Sequence, residues 1–176
     1  MRIGFTGTVS IGKTTLVNSL KELPQFKDYF IATERSKYLR DLGIPLNTDS
    51  TLEGQTMFLA ERVSELFNSS LLTDRTIIDV IAFTNSAQSL SSADKNIFQL
   101  YASKFVSKYD WIFYISPEGI PIEDNSIRET DPIYRDKIDK YIRYFIKENF
   151  LSIKNYGVLK GSTEERISQI LNYIKL

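Results

Sequence analysis

Apolar residues fall along this chain in two alternating patterns. Short apolar runs occupy 2–6, 29–33, 71–73, 111–115 and 157–159, and their length is that of buried strands. Between the runs, apolar residues recur every three or four positions, as on one face of a helix. Leu16, Val17 and Leu20 mark a helix from Lys13 to about Leu23, stopped by Pro24. A short helix over 37–42 stops at Gly43. Leu59, Val63, Leu66 and Phe67 face a helix over 54–67. Two helices are predicted near 78–88 and 92–107, the second with a stripe of Ile97, Leu100, Tyr101 and Phe105. Tyr134, Ile138, Tyr141, Ile142, Phe145 and Ile146 line a helix over 134–149, and this stripe reads as core. Ser162 and Glu165 have capping-box spacing and open a last helix faced by Ile167, Ile170, Leu171 and Ile174. Residues 86–92 read as a helix end and loop, and 118–132, polar with two prolines, as a mobile loop.

Strands alternating with helices predict a three-layer α/β/α fold, with a parallel sheet of about five strands covered on both faces. Ligands of such a sheet sit beyond the carboxyl ends of its strands. The length of 176 residues is that of a single domain over 1–176, with 118–132 as a candidate lid.

Composition narrows the chemistry. The chain has no Cys and no His. Thiol nucleophiles, disulfides, Ser–His–Asp triads and Cys- or His-ligated metals are therefore excluded. Acid–base work falls to Asp, Glu, Lys or Tyr, and any metal is a hard, oxygen-seeking cation such as Mg²⁺. Lys plus Arg number 22 and Asp plus Glu 22, so there is no basic excess for an extended nucleic acid. The N-terminal residues lack the apolar run of a signal peptide, and no stretch reaches the ~18 apolar residues of a membrane span. A soluble cytoplasmic protein is expected, with no membrane partner and a homodimer left open.

One motif carries chemistry. Gly7-Thr8-Val9-Ser10-Ile11-Gly12-Lys13-Thr14 fits G-x-x-x-x-G-K-[ST] in full, with a predicted strand before it and a helix after. Its glycines let backbone N–H groups curl around phosphate oxygens, Lys13 reaches the outer phosphates, and the Thr14 hydroxyl ligates Mg²⁺. The helix starting at Lys13 turns its positive end toward the same anion. Residues 7–14, with Thr15 beside them, are thus the expected ATP-binding loop. No N-K-x-D guanine motif and no L-S-G-G-Q signature occurs, and an AAA+ motor would need a longer module with a lid domain. What remains is a small kinase, transferring phosphoryl groups by positioning and charge neutralisation.

The sequence resembles the P-loop nucleoside and nucleotide kinases. Asp74-Arg75-Thr76-Ile77-Ile78-Asp79-Val80-Ile81-Ala82-Phe83-Thr84 is similar to the thymidylate kinase segment D-R-Y-x-x-S-x-x-A-Y-Q, with Asp79 in place of Ser, Phe83 of Tyr and Thr84 of Gln. Thr33-Glu34-Arg35-Ser36-Lys37-Tyr38-Leu39, followed by Gly43, Pro45, Asn47, Thr51 and Gln55, resembles the ribosylnicotinamide-kinase-like group. The stretch from Asp124 through Arg128 to Tyr134-Arg135 resembles the arginine-bearing lid of these kinases, and Gly161-Ser162-Thr163-Glu164-Glu165-Arg166 their loop near the adenine. The resemblance implies ATP-dependent phosphoryl transfer to a small acceptor, with a thymidylate-like (deoxy)nucleoside monophosphate first. A nucleoside or ribosylnicotinamide kinase is the alternative, and a nucleotide-binding regulatory module or slow NTPase is the alternative of another class.

Roles follow with competing readings. Glu34, at a strand end, is the base or orienter for the acceptor hydroxyl, or a group that supports the Mg²⁺ ligands, or a helix N-terminal acid favoured by the dipole. Asp74 holds Mg²⁺ through water or orients the acceptor, or is an ordinary turn acid. Arg75 clamps an acceptor phosphate, or forms a surface ion pair. Arg128 is the expected lid arginine, and Arg135 contacts the acceptor or pairs with Asp131 or Asp139. Tyr38, Phe58 and Phe83 stack on an acceptor base or belong to the core, and Gln55 either reads a base edge or is an exposed helix residue. Lys13, Glu34, Asp74 and Arg128 form the expected catalytic set, Glu34, Arg75, Phe83 and Arg135 the acceptor site, and Thr14 with Asp74 the metal site.

Overall fold

A computed structural model describes residues 1–33, 36–121 and 131–175, the side chain of Lys37 excepted. The elements run β1 (Arg2–Thr6), α1 (Lys13–Lys21), β2 (Phe30–Ala32), α2 (Ser36–Asp41), α3 (Leu52–Glu65), β3 (Leu71–Thr73), α4 (Ile77–Ser86), α5 (Ser92–Ala102), β4 (Trp111–Ile115), α6 (Pro132–Glu148), β5 (Tyr156–Leu159) and α7 (Thr163–Ile174). The strands form one parallel sheet in the order β2-β3-β1-β4-β5. β1 is central, so the loop that leaves it opens in the middle of the sheet's carboxyl edge, where ligands of parallel sheets bind.

Two cores sandwich the sheet. Leu16, Val17 and Leu20 of α1 and Ile170 of α7 pack on one face with Ile3, Phe5, Phe113 and Leu159. On the other face α3, α4 and α6 bury Leu59, Ile77, Ile81, Ile138, Ile142 and Phe145 against Leu71, Ile112 and Tyr114. The three-layer α/β/α fold expected from the alternation is the one observed.

Local chemistry sets the helix starts. Ser162 and Glu165 form the expected capping box of α7, and Thr76 with Asp79 forms a second one on α4. Thr51, Ser91 and Asp131 each accept an N–H bond at the start of α3, α5 and α6. Tyr114 Oη donates to Asp139 Oδ1 at 2.7 Å and Arg143 Nε to Asp139 Oδ2 at 2.8 Å, which fixes the middle of α6 to β4.

Two predicted faces are corrected. Of the predicted stripe, Ile97, Leu100 and Tyr101 are exposed and Phe105 is partly buried against the core, whereas Phe98, Ala102 and Val106 are buried. The helix is also shorter than predicted, passing into a 3₁₀ turn over Ser103–Lys108 before the buried Tyr109. The series 98, 102, 106 has helical spacing too, and it is the one packed into the core beside α4 and α6 residues. On α3, Phe67 lies past the helix end and is exposed, and the charged Arg62 is buried instead. Arg62 is tolerated there because it meets Glu65 Oε1 at 2.5 Å and Thr73 Oγ1 at 3.3 Å. Among the described residues no helix is long and apolar enough to cross a membrane.

Candidate functional site

The loop between β1 and α1 curls over the carboxyl edge of the sheet. Gly12 (φ +79°) is the N-cap of α1 and brings no side-chain cap, so the helix's first N–H groups are left for an anion. Lys13 is buried, and its ammonium donates to the carbonyls of Gly7 and Thr8, each at 2.6 Å. The charge is therefore held inside the curl of the loop. Thr8 Oγ1 donates to the Arg135 carbonyl at 2.9 Å, tying the loop to the first turn of α6.

β3 lies beside β1 and delivers the Asp74-Arg75 pair to the same edge. The Thr14 hydroxyl donates to Asp74 Oδ2 at 2.6 Å, so the two expected metal-site oxygens are adjacent. Asp74 is buried, and its N–H is fixed by the Ala32 carbonyl of β2 at 3.1 Å. Behind it, Thr73 Oγ1 lies 2.9 Å from the Arg75 carbonyl and 3.2 Å from Glu65 Oε2. Burial pushes the Glu65 carboxyl up to about 7, against the opposing pull of Arg62 and Thr73.

Two pockets flank the loop. One, with about 680 Å³ of open space, is lined by Ser10 to Thr15, by Ile120, and by Gly161, Ser162, Thr163 and Arg166. Arg166 reaches it from α7, and its Nη1 donates to the Ile11 carbonyl at 2.8 Å. The other, about 560 Å³ and mostly apolar, is lined by Val9, Leu46, Phe58, Val80 and Phe83 with Ser36, Asn47, Ser50, Gln55 and Arg75. Val9 borders one pocket and Ser10 the other, so the phosphate loop is the wall between them.

The predicted residues distribute as follows. Residues 10–15 line the first pocket, whereas Val9, expected on the nucleotide, faces the second. Arg75, Phe83, Phe58 and Gln55 all come together in the second pocket. Gln55 is buried, not an exposed helix residue, and its amide oxygen lies 3.3 Å from Thr84 Oγ1. Phe83 lies under the Arg75 guanidinium, 4.9 Å from ring centroid to Cζ. Tyr38 is half exposed and outside that lining. Arg135 is also outside it; its Nη1 donates to the Ile120 carbonyl at 2.7 Å, and burial lowers its pKa. That aims the side chain at the segment after β4, and the expected pairing with Asp139 is taken by Arg143. Glu34 and Arg128 lie outside the described residues.

Other residues join the site without having been given a role there from the sequence. Asp79, fully buried, accepts the Gly7 N–H at 3.3 Å and stands 3.5 Å from Arg75 Nη1. Its capping-box spacing from Thr76 was legible; its reach to Gly7, 72 residues away, was not. Arg166, in the segment resembling the loop near the adenine, and Ile120, in the candidate lid, reach the loop after β1 through tertiary packing. Leu46, Asn47 and Ser50 enter the second pocket because Gln88 N–H donates to the Thr48 carbonyl and Ser89 Oγ to that of Ser50.

Residues 2–166 match the family model described as AAA domain. A search of curated proteins found no match. Among solved structures, a deoxyadenosine kinase from M. mycoides with bound dCTP is 20% identical, with 99% of each chain covered and a TM-score of 0.69. NadR in complex with NAD and AMP-PNP is 14% identical with a TM-score of 0.74; 99% of this chain covers 49% of that one. YorR from Bacillus subtilis in complex with phosphorylated GDP is 16% identical, with 100% and 96% covered and a TM-score of 0.57. At these identities the likeness is one of fold. The phosphate loop, the five-stranded parallel sheet and the family match agree: the chain belongs to the AAA domain family and has the fold of the P-loop nucleoside and nucleotide kinases.

Proposed function

We propose that this chain transfers the γ-phosphoryl group of ATP to the free hydroxyl of a nucleoside-type acceptor. The observation that carries the reading is the pair of pockets sharing the phosphate loop as their wall, with Val9 on one side and Ser10 on the other. Donor and acceptor bound there would lie on neighbouring residues of the one loop, which supports direct transfer between them. The donor's phosphates lie on residues 10–15 and its base toward Gly161, Ser162 and Thr163.

The acceptor side supports an uncharged molecule. Phe58 and Phe83 offer ring faces, and Gln55, Asn47 and Ser50 offer neutral hydrogen-bonding groups. Among the described lining residues Arg75 is the one cation, and Asp79 offsets its charge. A phosphate dianion would call for more positive charge than that. The presence of Arg75 favours the second reading, a monophosphate acceptor of thymidylate type. The deoxyadenosine kinase of similar fold agrees with the first.

The chain's own groups suffice for the chemistry expected. Lys13 neutralises charge on the transferred group, and the N–H groups at the start of α1 do the same. Thr14 and Asp74 are hard oxygen donors 2.6 Å apart and fit Mg²⁺, which supplies charge neutralisation at the phosphates when bound. With no histidine available, a carboxylate takes the acceptor proton, Asp74 or Glu34 being the candidates. Arg128 is proposed as the cation brought by the segment 118–132, acting as a lid on this one-domain enzyme. A coupled ADP-release assay over a panel of nucleosides and monophosphates tests the reading. Turnover with nucleosides is expected; turnover with monophosphates alone selects the second reading, and ATP binding with no transfer overturns both.

A further inference from the structure

Asp79 stands where the thymidylate-kinase-like segment has a serine, and the proposed transfer gives it no task. It is fully buried at the start of α4. Its Oδ2 accepts from Thr76 N–H at 2.8 Å and Thr76 Oγ1 at 2.9 Å, which is what a helix start needs. Its Oδ1 is turned the other way. That oxygen accepts the Gly7 N–H at 3.3 Å and stands 3.5 Å from Arg75 Nη1. A neutral side chain would serve the cap as well. A buried carboxylate under a loop that binds a polyanion is unfavourable unless a cation offsets it.

We infer that Asp79 is a positioning residue that couples the two pockets, holding Gly7 of the phosphate loop with one oxygen and facing Arg75 of the acceptor pocket with the same one. The inference rests on the reading of residues 7–14 as the ATP loop and of Arg75 as an acceptor-side group. Arg75 pairs with that carboxylate and so helps make it tolerable beneath the loop, beside the Lys13 ammonium on the Gly7 carbonyl. Removing the Arg75 charge therefore weakens ATP binding, although Arg75 lines the other pocket. Removing the Asp79 charge as well relieves that loss.

The test is a titration of the full chain with a fluorescent ATP analogue and Mg²⁺, with no acceptor present. R75Q is expected to weaken binding about tenfold, and R75K, which keeps the charge, to stay within about threefold of the parent. D79N, whose amide cannot accept from both Thr76 and Gly7, loses the hold on Gly7 and weakens binding about threefold, while R75Q/D79N, relieved of the unoffset carboxylate, binds more tightly than R75Q and within about threefold of the parent. A residue serving only as a helix cap gives no relief, and R75Q/D79N then binds no more tightly than R75Q. Additive losses, or R75Q binding as the parent does, overturn the inference. Should R75Q fail to fold, a folded and binding R75Q/D79N supports it, and an unfolded double variant overturns it. The readout is binding alone, so failure of the nucleoside-kinase reading appears separately, as ATP binding without transfer to any acceptor.

Discussion

Replacing Gly7 with alanine isolates what the loop's backbone path contributes. Gly7 has φ +147°, a conformation side chains rarely adopt. A Cβ built there meets the Ile11 Cδ1 atom and comes within 2.8 Å of the Ile115 carbonyl oxygen. The isoleucine methyl can turn away. The carbonyl cannot, because it ends β4, which is held between β1 and β5. The backbone strain costs about 1–3 kcal/mol, and forcing a methyl against a fixed strand about 1–3 more. The sum, roughly 2–6 kcal/mol, is a large share of the 5–15 typical of a domain. Gly43→Ala is the control: its φ is +80°, but a Cβ there meets nothing within 4 Å. It is expected to lose only the left-handed backbone term, about 1–2 kcal/mol. Urea denaturation measures both losses, and titration with an ATP analogue measures the loop. G7A is expected to bind the analogue at least about tenfold more weakly, because N–H groups aimed at phosphate are displaced. G43A binds as the parent does. Equal stability losses in the two variants, or full ATP affinity in G7A, would refute the reasoning.

Three further outcomes are expected. Lys13→Ala lowers turnover by about two orders of magnitude or more while the melting temperature stays close to the parent's; unchanged turnover removes the role assigned to that ammonium. Gln55→Leu raises the acceptor KM about tenfold and leaves the ATP KM alone, and equal changes in both would take Gln55 out of the acceptor site. Glu65, raised by burial from 4.5 to about 7, keeps its proton in the folded chain over a range where the unfolded chain has lost it. Its contribution to stability is therefore complete below about pH 4.5 and lost as pH rises through 7, by roughly 3 kcal/mol at most. Glu65→Gln should flatten the melting temperature between pH 5 and 8, and an equally steep curve in the variant counts against the assignment.

How legible each part of the site was depends on how local its cause is. The phosphate loop could be read in full because eight consecutive residues make it. The strand ends at Thr6 and Thr73 could be read because an apolar run stops there, and Asp74 followed from its place after such a run. The second pocket, the proposed acceptor site, was half legible. Gln55, Phe58, Arg75 and Phe83 were all raised as candidates, yet Tyr38, with the same ring chemistry, ends outside the pocket. Nothing near Arg135 in the sequence tells whether it turns toward the acceptor or toward Ile120. The buried Arg62–Glu65–Thr73 group was invisible, because charged residues on a helix are ordinarily read as solvated.

The order of strands and helices, the capped helix starts and the anion-binding loop were decided by the sequence alone, since each depends on residues within a turn or two of one another. Which face of each helix is buried was not. The series Ile97, Leu100, Tyr101 and the series Phe98, Ala102, Val106 have equal claims as helical stripes, and only the packing of this helix against the rest of the core chooses between them. The same holds for Arg166 at Ile11 and Asp79 at Gly7, contacts spanning 155 and 72 residues. Such contacts depend on how packed layers register against one another, and that register is a property of the whole core.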